Sequence, residues 1–133
     1  MLKAMPVNEI MLLMVNKIGI LDEIAKAIAE KGINLQSLHG TVFGEKVILR
    51  MITDDNLRIM DALTALHYHP FENHAVLVEL PHKPGMFKHV LDRLMRECIE
   101  IHHIYATSIA SAETTSIILS CSKNDQAVVL LNE

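Results

Sequence analysis

The chain repeats one pattern at an interval close to half its length. One copy opens with Val15-Asn16-Lys17-Ile18-Gly19 and the other with Pro81-His82-Lys83-Pro84-Gly85, so the two glycines lie 66 positions apart in a chain of 133 residues. A fixed period of this kind indicates that the same supersecondary unit is built more than once. We therefore expect two related units, each formed from about half of the chain.

An amphipathic helix is predicted directly after each glycine. The apolar positions are Leu21, Ile24, Ala25 and Ile28 in the first helix, and Phe87, Val90, Leu91, Leu94, Met95 and Cys98 in the second. Spacings of three and four residues place such positions on one stripe of a helix. Each stripe must be buried against an apolar surface, which a sheet can supply.

Six strand-like runs supply that surface. They are Ile10–Val15, Leu35–Val42, Val47–Ile52, Ala75–Leu80, Ile101–Thr107 and Ser116–Cys121. A second helix follows the third strand of each copy, and Asp54, Asp55 and Asn56 are available to cap the first of these helices. The second copy carries four more residues than the first, which we place in the turn at Ser108–Glu113.

Each copy therefore has the order β-α-β-β-α, and a strand near Phe71–Ala75 completes the first. The predicted fold class is α+β, with two ferredoxin-like βαββαβ units in tandem, antiparallel sheets and helices on one face. The predicted domains are residues 8–75 and 76–133, the second lacking its last strand. A missing strand leaves an open sheet edge, so we expect self-association, most simply a homodimer.

Composition narrows the class of protein. The formal charge is −4 and aromatic residues make up 4% of the chain, which is unlike a nucleic-acid-binding protein. The densest apolar run near the start, Ile10–Val15, is too short to cross a membrane. Cys98 and Cys121 form no Cys-x-x-Cys pair, so we expect two buried thiols and a cytoplasmic protein.

The arrangement of these motifs resembles the ACT domain. The resemblance rests on the turns at Lys17-Ile18-Gly19 and Lys83-Pro84-Gly85, each between a strand and an amphipathic helix, on Gly32-Ile33-Asn34, and on the strand Ile101–Ala106 with its tyrosine. It covers Asn8 to Glu133, and two such units in tandem look like the stand-alone tandem ACT proteins. The resemblance implies a regulatory protein that binds an amino acid, acts through self-association or a partner enzyme or regulator, and uses no cofactor.

A ligand site at each turn also has a physical basis. A helix beginning there directs unpaired amides and its dipole toward an anion, and a glycine lets that anion approach the backbone. The resemblance implies that the ligand is held at these turns and at domain interfaces. The candidate residues are Asn16, Lys17, Gly19, Ile20 and Leu21 in the first turn, His82, Lys83, Gly85, Met86 and Phe87 in the second, and Leu38, His39 and Tyr105 on the second strands. The same glycines could serve as turn residues only, and the four apolar candidates of the turns could belong to the core.

The sequence also bears on functions other than amino-acid binding. The chain lacks the GxGxxG, P-loop, HExxH and GxSxG motifs, so no enzyme and no catalytic residue is predicted. Eight histidines, including His67, His69 and the consecutive pair His102-His103, favour a metal-responsive regulator as an alternative. None of their spacings gives a metal site, and none is predicted. A further alternative is an interaction scaffold without a ligand.

Overall fold

The computed structural model describes every residue from Met1 to Glu133. It contains six strands and four helices: β1 Lys3–Val15, α1 Ile20–Glu30, β2 Leu35–Phe43, β3 Lys46–Thr53, α2 Asn56–Ala65, β4 Phe71–Pro81, α3 Met86–Arg96, β5 Ile101–Thr107, β6 Thr114–Cys121 and α4 Asn124–Leu130. The predicted α+β class and element order are confirmed. None of the helices is long and apolar enough to span a lipid bilayer.

The chain forms two compact units. The first unit is Asn8–Asn73, and the second unit combines His74–Glu133 with Met1–Val7. The predicted first domain begins at residue 8, so the residues before Asn8 belong to neither predicted domain. In the structure these residues open strand β1.

In the first unit, strand β3 pairs antiparallel with both β2 and β1. Leu49 faces Leu12 on one side and Gly40 on the other, so these three positions share a face of the sheet. Helices α1 and α2 pack on that face. The core comprises Ile10, Leu12, Met14, Ile20, Ile24, Ala27, Ile28, Ile33, Val47, Leu49, Met51, Ile59 and Leu63.

In the second unit, β6 pairs antiparallel with β4 and β5. The core comprises Leu2, Ala4, Val76, Val78, Leu80, Val90, Leu94, Ile99, Ile117, Leu119, Cys121, Ala127 and Leu131. No strand follows α4, as predicted, and the N-terminal segment packs into this unit instead. The side chain of Asn132 bonds both the amide and the carbonyl of Ala4, at 3.0 and 2.7 Å.

The apolar stripes of two helices differ from the predicted ones. Helix α1 buries Ile20, Ile24, Ala27 and Ile28, whereas Leu21 is 52% exposed and Ala25 is also exposed. In α3, Val90 and Leu94 are buried while Phe87 and Met95 are exposed, and Cys98, two residues beyond the end of this helix, is also exposed. The reason is that the part of each helix that contacts the sheet is narrower than its apolar stripe. The apolar residues at the margin of the stripe therefore lie at the surface.

Three helices end in the same way, with a residue in the left-handed conformation. Gly32, His67 and Cys98 have φ values of 65°, 69° and 55°. In each case the next residue donates a backbone bond to the fifth residue before it, which is the Schellman arrangement. Cys98 is exposed at this helix end, so its predicted burial is wrong. Both thiols are free, and burial raises the pKa of the Cys121 thiol.

The two units differ most in the turn between their middle strands. β2 and β3 are joined by Gly44 and Glu45, whereas Ser108–Glu113 join β5 and β6. The additional residues of the second copy lie in this turn, as predicted. There are two and not four, because Gly40 and its partner Leu49 are nine positions apart whereas Ala106 and its partner Ile117 are eleven apart.

Candidate ligand-binding site

The turn before each first helix is a type II β-turn. The amide of Ile20 donates to the carbonyl of Lys17 at 3.2 Å, and Met86 donates to Lys83 at 3.4 Å. Gly19 and Gly85 occupy the third position of these turns with φ of 87° and 89°. That position requires positive φ, which explains a glycine in both copies. The two turns share one shape, although the first lacks the proline of the second.

The turn exposes the beginning of helix α1. The first bond along the helix runs from the amide of Glu23 to the carbonyl of Gly19, at 3.0 Å. The amides of Leu21 and Asp22 come before it, so the helix itself offers them no acceptor. The positive end of the helix dipole lies at the same place. An anion placed here would meet two backbone donors and a favourable field.

A cavity of about 410 Å³ opens beside this helix start. Its lining residues are Asn16, Lys17, Gly19, Ile20, Leu21, Asp22, Gly40, Val42, Val47 and Leu49. All belong to the first unit, and the five residues predicted for the first turn are among them. The volume falls in the lower part of the range found for small-molecule sites, about 300–1,000 Å³.

Strand β2 leaves this cavity open because it is an edge strand that the helices do not cover. Leu38, Gly40 and Val42 alternate onto the helix side of the sheet, yet Leu38 is 50% and Val42 56% exposed. Gly40 contributes no side chain. The gap between β2 and the start of α1 is therefore walled by apolar groups and remains accessible to solvent.

Two candidates on β2 lie outside the cavity. His39 faces the opposite side of the sheet from Gly40, since neighbouring residues of a strand alternate. Leu38 lies on the cavity side but further along the strand, and it does not line the cavity. The β2 residues that line the cavity are Gly40 and Val42, and not the predicted Leu38 and His39.

The candidates in the second turn are arranged differently. Lys83 and Gly85 are exposed, Phe87 is 49% exposed, and Met86 packs against the core of the second unit. Nδ1 of His82 lies 2.9 Å from the hydroxyl of Thr115, so this ring is engaged with the neighbouring strand.

Tyr105, the remaining candidate, lies on β5. Its ring centroid is 5.4 Å from that of His103. The structure thus assembles the candidates of the first turn around one cavity, whereas Tyr105 stays with its own strand in the second unit.

The charged groups at the cavity are of opposite sign. Lys17 follows the last residue of β1 by two positions, and Asp22 lies in the first turn of α1. Lys17 and Asp22 both line the cavity, so residues of opposite charge border it beside the helix start. Asp22, Gly40, Val42, Val47 and Leu49 were missed from the sequence. The alternation of β2 could have indicated Gly40 and Val42, because they share a face with Leu38.

A smaller cavity, of about 280 Å³, lies near the end of α2 and includes His67, Tyr68 and His69. Burial raises the pKa of the Tyr68 hydroxyl, and its hydrogen bond with Glu23 raises it further. In the whole chain, no three side chains of His, Cys, Asp or Glu are close enough to hold one metal ion.

Solved structures with a similar fold cover nearly the whole chain. Protein BT0572 from Bacteroides thetaiotaomicron has a TM-score of 0.89 and 26% identity, over 96% of this chain and 88% of its own. The ligand-free regulatory subunit of aspartate kinase from Thermus thermophilus has a TM-score of 0.69 and 16% identity, over 98% and 93%. The chain has the tandem ACT-type fold.

The same ACT-type pair matches part of a larger enzyme. Aspartokinase III of E. coli, in complex with lysine and aspartate in the T-state, has a TM-score of 0.57 and 20% identity, over 98% of this chain and 31% of its own. No family model and no curated protein sequence matches the chain.

Proposed function

We propose that this chain is an amino-acid-responsive regulatory protein. The observation that carries the proposal is the cavity of about 410 Å³ in the first unit, because it unites the turn, the start of helix α1 and the apolar side of β2. The tandem ACT-type fold supports the regulatory role, since a similar structure is a regulatory subunit of aspartate kinase.

The cavity offers a partner for each charged end of an amino acid. The ligand carboxylate would accept hydrogen bonds from the amides of Leu21 and Asp22 and would face the ammonium group of Lys17. Charge-assisted bonds of this kind contribute about 1.5–3 kcal/mol each. The ligand ammonium group would face the carboxylate of Asp22. This pairing is the reason for choosing an amino acid over a simple organic acid.

Ligand binding in the cavity would change how another surface of the chain binds its partner. The chain itself is proposed to be no enzyme, and its output to be a change in self-association, as a homodimer, or in binding to a regulated enzyme in the cytoplasm. A ligand can shift such an equilibrium only by binding one state more tightly than the other. Light scattering with and without the ligand measures the change in self-association directly.

A thermal-unfolding panel with each of the twenty amino acids tests the proposal. A ligand at 100 times its dissociation constant stabilises the folded state by about 2.7 kcal/mol, which raises Tm by several degrees. Asp22→Asn and Lys17→Ala should abolish most of this rise, while Lys26→Ala on an exposed part of the same helix should leave it intact. A flat panel would overturn the proposal and favour an interaction scaffold.

A further inference from the structure

The two turns share a shape but differ in the residues around them. Position 40 in the first unit matches position 106 in the second, because Gly40 pairs with Leu49 and Ala106 pairs with Ile117 in the same register. The following equivalent pairs also differ: Asp22 and Lys88, Val42 and Ser108, and Val47 and Thr115. The first unit therefore has more space, more apolar wall and an acidic group.

We infer that the first-unit cavity selects an amino acid with an aliphatic side chain, of the size of valine, leucine or isoleucine. This inference rests on the proposed function and specifies its ligand. The charged groups, Lys17 and Asp22, come from the turn and the start of α1, where the common backbone of an amino acid would bind. The ligand side chain would therefore contact the lining residues of strands β2 and β3, which are Gly40, Val42, Val47 and Leu49.

That wall contains no polar side chain. Val47 and Leu49 are 3% and 1% exposed, and Ile20 is 4% exposed, so they form a closed apolar floor. Val42 adds a further apolar group from β2. A hydroxyl, amide or charged group of a ligand that packs against Val47 and Leu49 would lose its water and find no side-chain partner on these strands, which weakens binding. An aliphatic group would instead exchange water for apolar contact.

Gly40 determines how much room the ligand side chain has. A Cβ at this position would lie 3.0 Å from Cδ2 of Leu49, which is tighter than an ordinary contact. The methyl group of Leu49 can move away, so the fold tolerates the change, but both groups then take space from the cavity. In the second unit Ala106 already carries this Cβ, and Thr115 binds His82 instead of leaving an apolar surface.

Pairs of ligands with similar shape test the selectivity by calorimetric titration of the whole chain. Valine should bind about a hundredfold more tightly than threonine, in which a hydroxyl replaces one methyl group of valine. Leucine should be favoured over aspartate and asparagine by at least the same factor. Stronger binding of threonine, aspartate or lysine than of valine and leucine would overturn this inference while the proposed function stands. No binding of any amino acid would overturn both.

Variants on β2 locate the selective element. Gly40→Ala should weaken binding of leucine by about tenfold or more, the effect of one methyl group in a closely fitting site. Thr41→Ala is the control, because Thr41 lies on the same strand but faces the other side of the sheet. Equal effects of both substitutions on leucine affinity, or none from Gly40→Ala with an intact fold, would contradict the assignment of Gly40.

Discussion

The side-chain amide of Asn124 donates a hydrogen bond of 3.1 Å to the carbonyl of His74. Its Oδ1 accepts from the amide of Cys121 at 2.9 Å, so one side chain ties the end of β6 to β4. Asn56 makes the equivalent contacts in the first unit, to the carbonyl of Asn8 at 3.0 Å and the amide of Thr53 at 3.2 Å. In each unit, therefore, an asparagine at the first residue of the second helix ties the end of the third strand to the first strand of the same unit.

The first prediction concerns this asparagine clamp. Replacing Asn56 or Asn124 by alanine leaves backbone groups without their partners, which costs about 1–3 kcal/mol in the free energy of unfolding. Urea denaturation of each variant measures the loss. Asn34→Ala is the control, because its side chain is exposed. Losses no larger than that of the control would show that water replaces the clamp.

A second prediction concerns the end of helix α3. Cys98 has a φ of 55°, where Gly32 stands at the matching end of α1 with a φ of 65°. A residue other than glycine in this conformation lowers the stability of the folded state by about 1–2 kcal/mol. Cys98→Gly should therefore raise the free energy of unfolding by about 1 kcal/mol, less the entropy that a glycine adds to the unfolded chain. Cys98→Ser keeps the strain and should leave stability nearly unchanged, so an equal gain from both would contradict the explanation.

A third prediction concerns the turn that precedes α1. Ile18 is fully exposed at the second position of a type II turn, where the second unit has Pro84. Proline is favoured there because its fixed φ matches the turn. Ile18→Pro should stabilise the protein by about 0.4–1 kcal/mol through the unfolded state. Thermal unfolding measures this, and Pro84→Ala should cause a loss of similar size. A destabilising Ile18→Pro would show that the two turns differ in shape.

The order of the helices and strands was predictable because it depends on local sequence patterns that occur in both halves of the chain. The turn at Gly19, the cap at Asp55 and the inserted residues at Ser108–Glu113 were each located from the sequence. The position of Met1–Val7 was not, because these residues gain their partners only from the second unit at the far end of the chain. Pairing across so long a separation leaves no periodic signal in the segment itself.

The candidate site was partly predictable for the same reason. The residues of the first turn follow from a motif, whereas Gly40 and Val42 line the cavity because helix α1 leaves an edge strand uncovered. A sequence pattern gives the face of β2 on which Gly40 lies, but it does not give the width of the helical layer. Leu21 illustrates this, since it belongs to the expected apolar stripe and is 52% exposed at the cavity.

The last prediction concerns the pH dependence of stability. Oε2 of Glu133 lies 2.7 Å from Nε2 of His89 and 3.1 Å from Nη1 of Arg93. The hydrogen bond with His89, together with the charges of His89, Arg93 and the amino group of Met1, lowers the pKa of Glu133. A carboxylate with a lowered pKa stabilises the folded state at pH values above its unfolded pKa, about 4.3, and this stabilisation is lost as the pH falls through the folded pKa.

Glu133→Gln should therefore lower Tm by about 1–3 °C at pH 7 and by less at pH 3. Glu30→Gln, in an exposed pair with Lys26 of 3.9 Å, serves as the control and should change Tm little at either pH. The same Tm difference between wild type and Glu133→Gln at both pH values would show that this carboxylate contributes through packing and not through its charge.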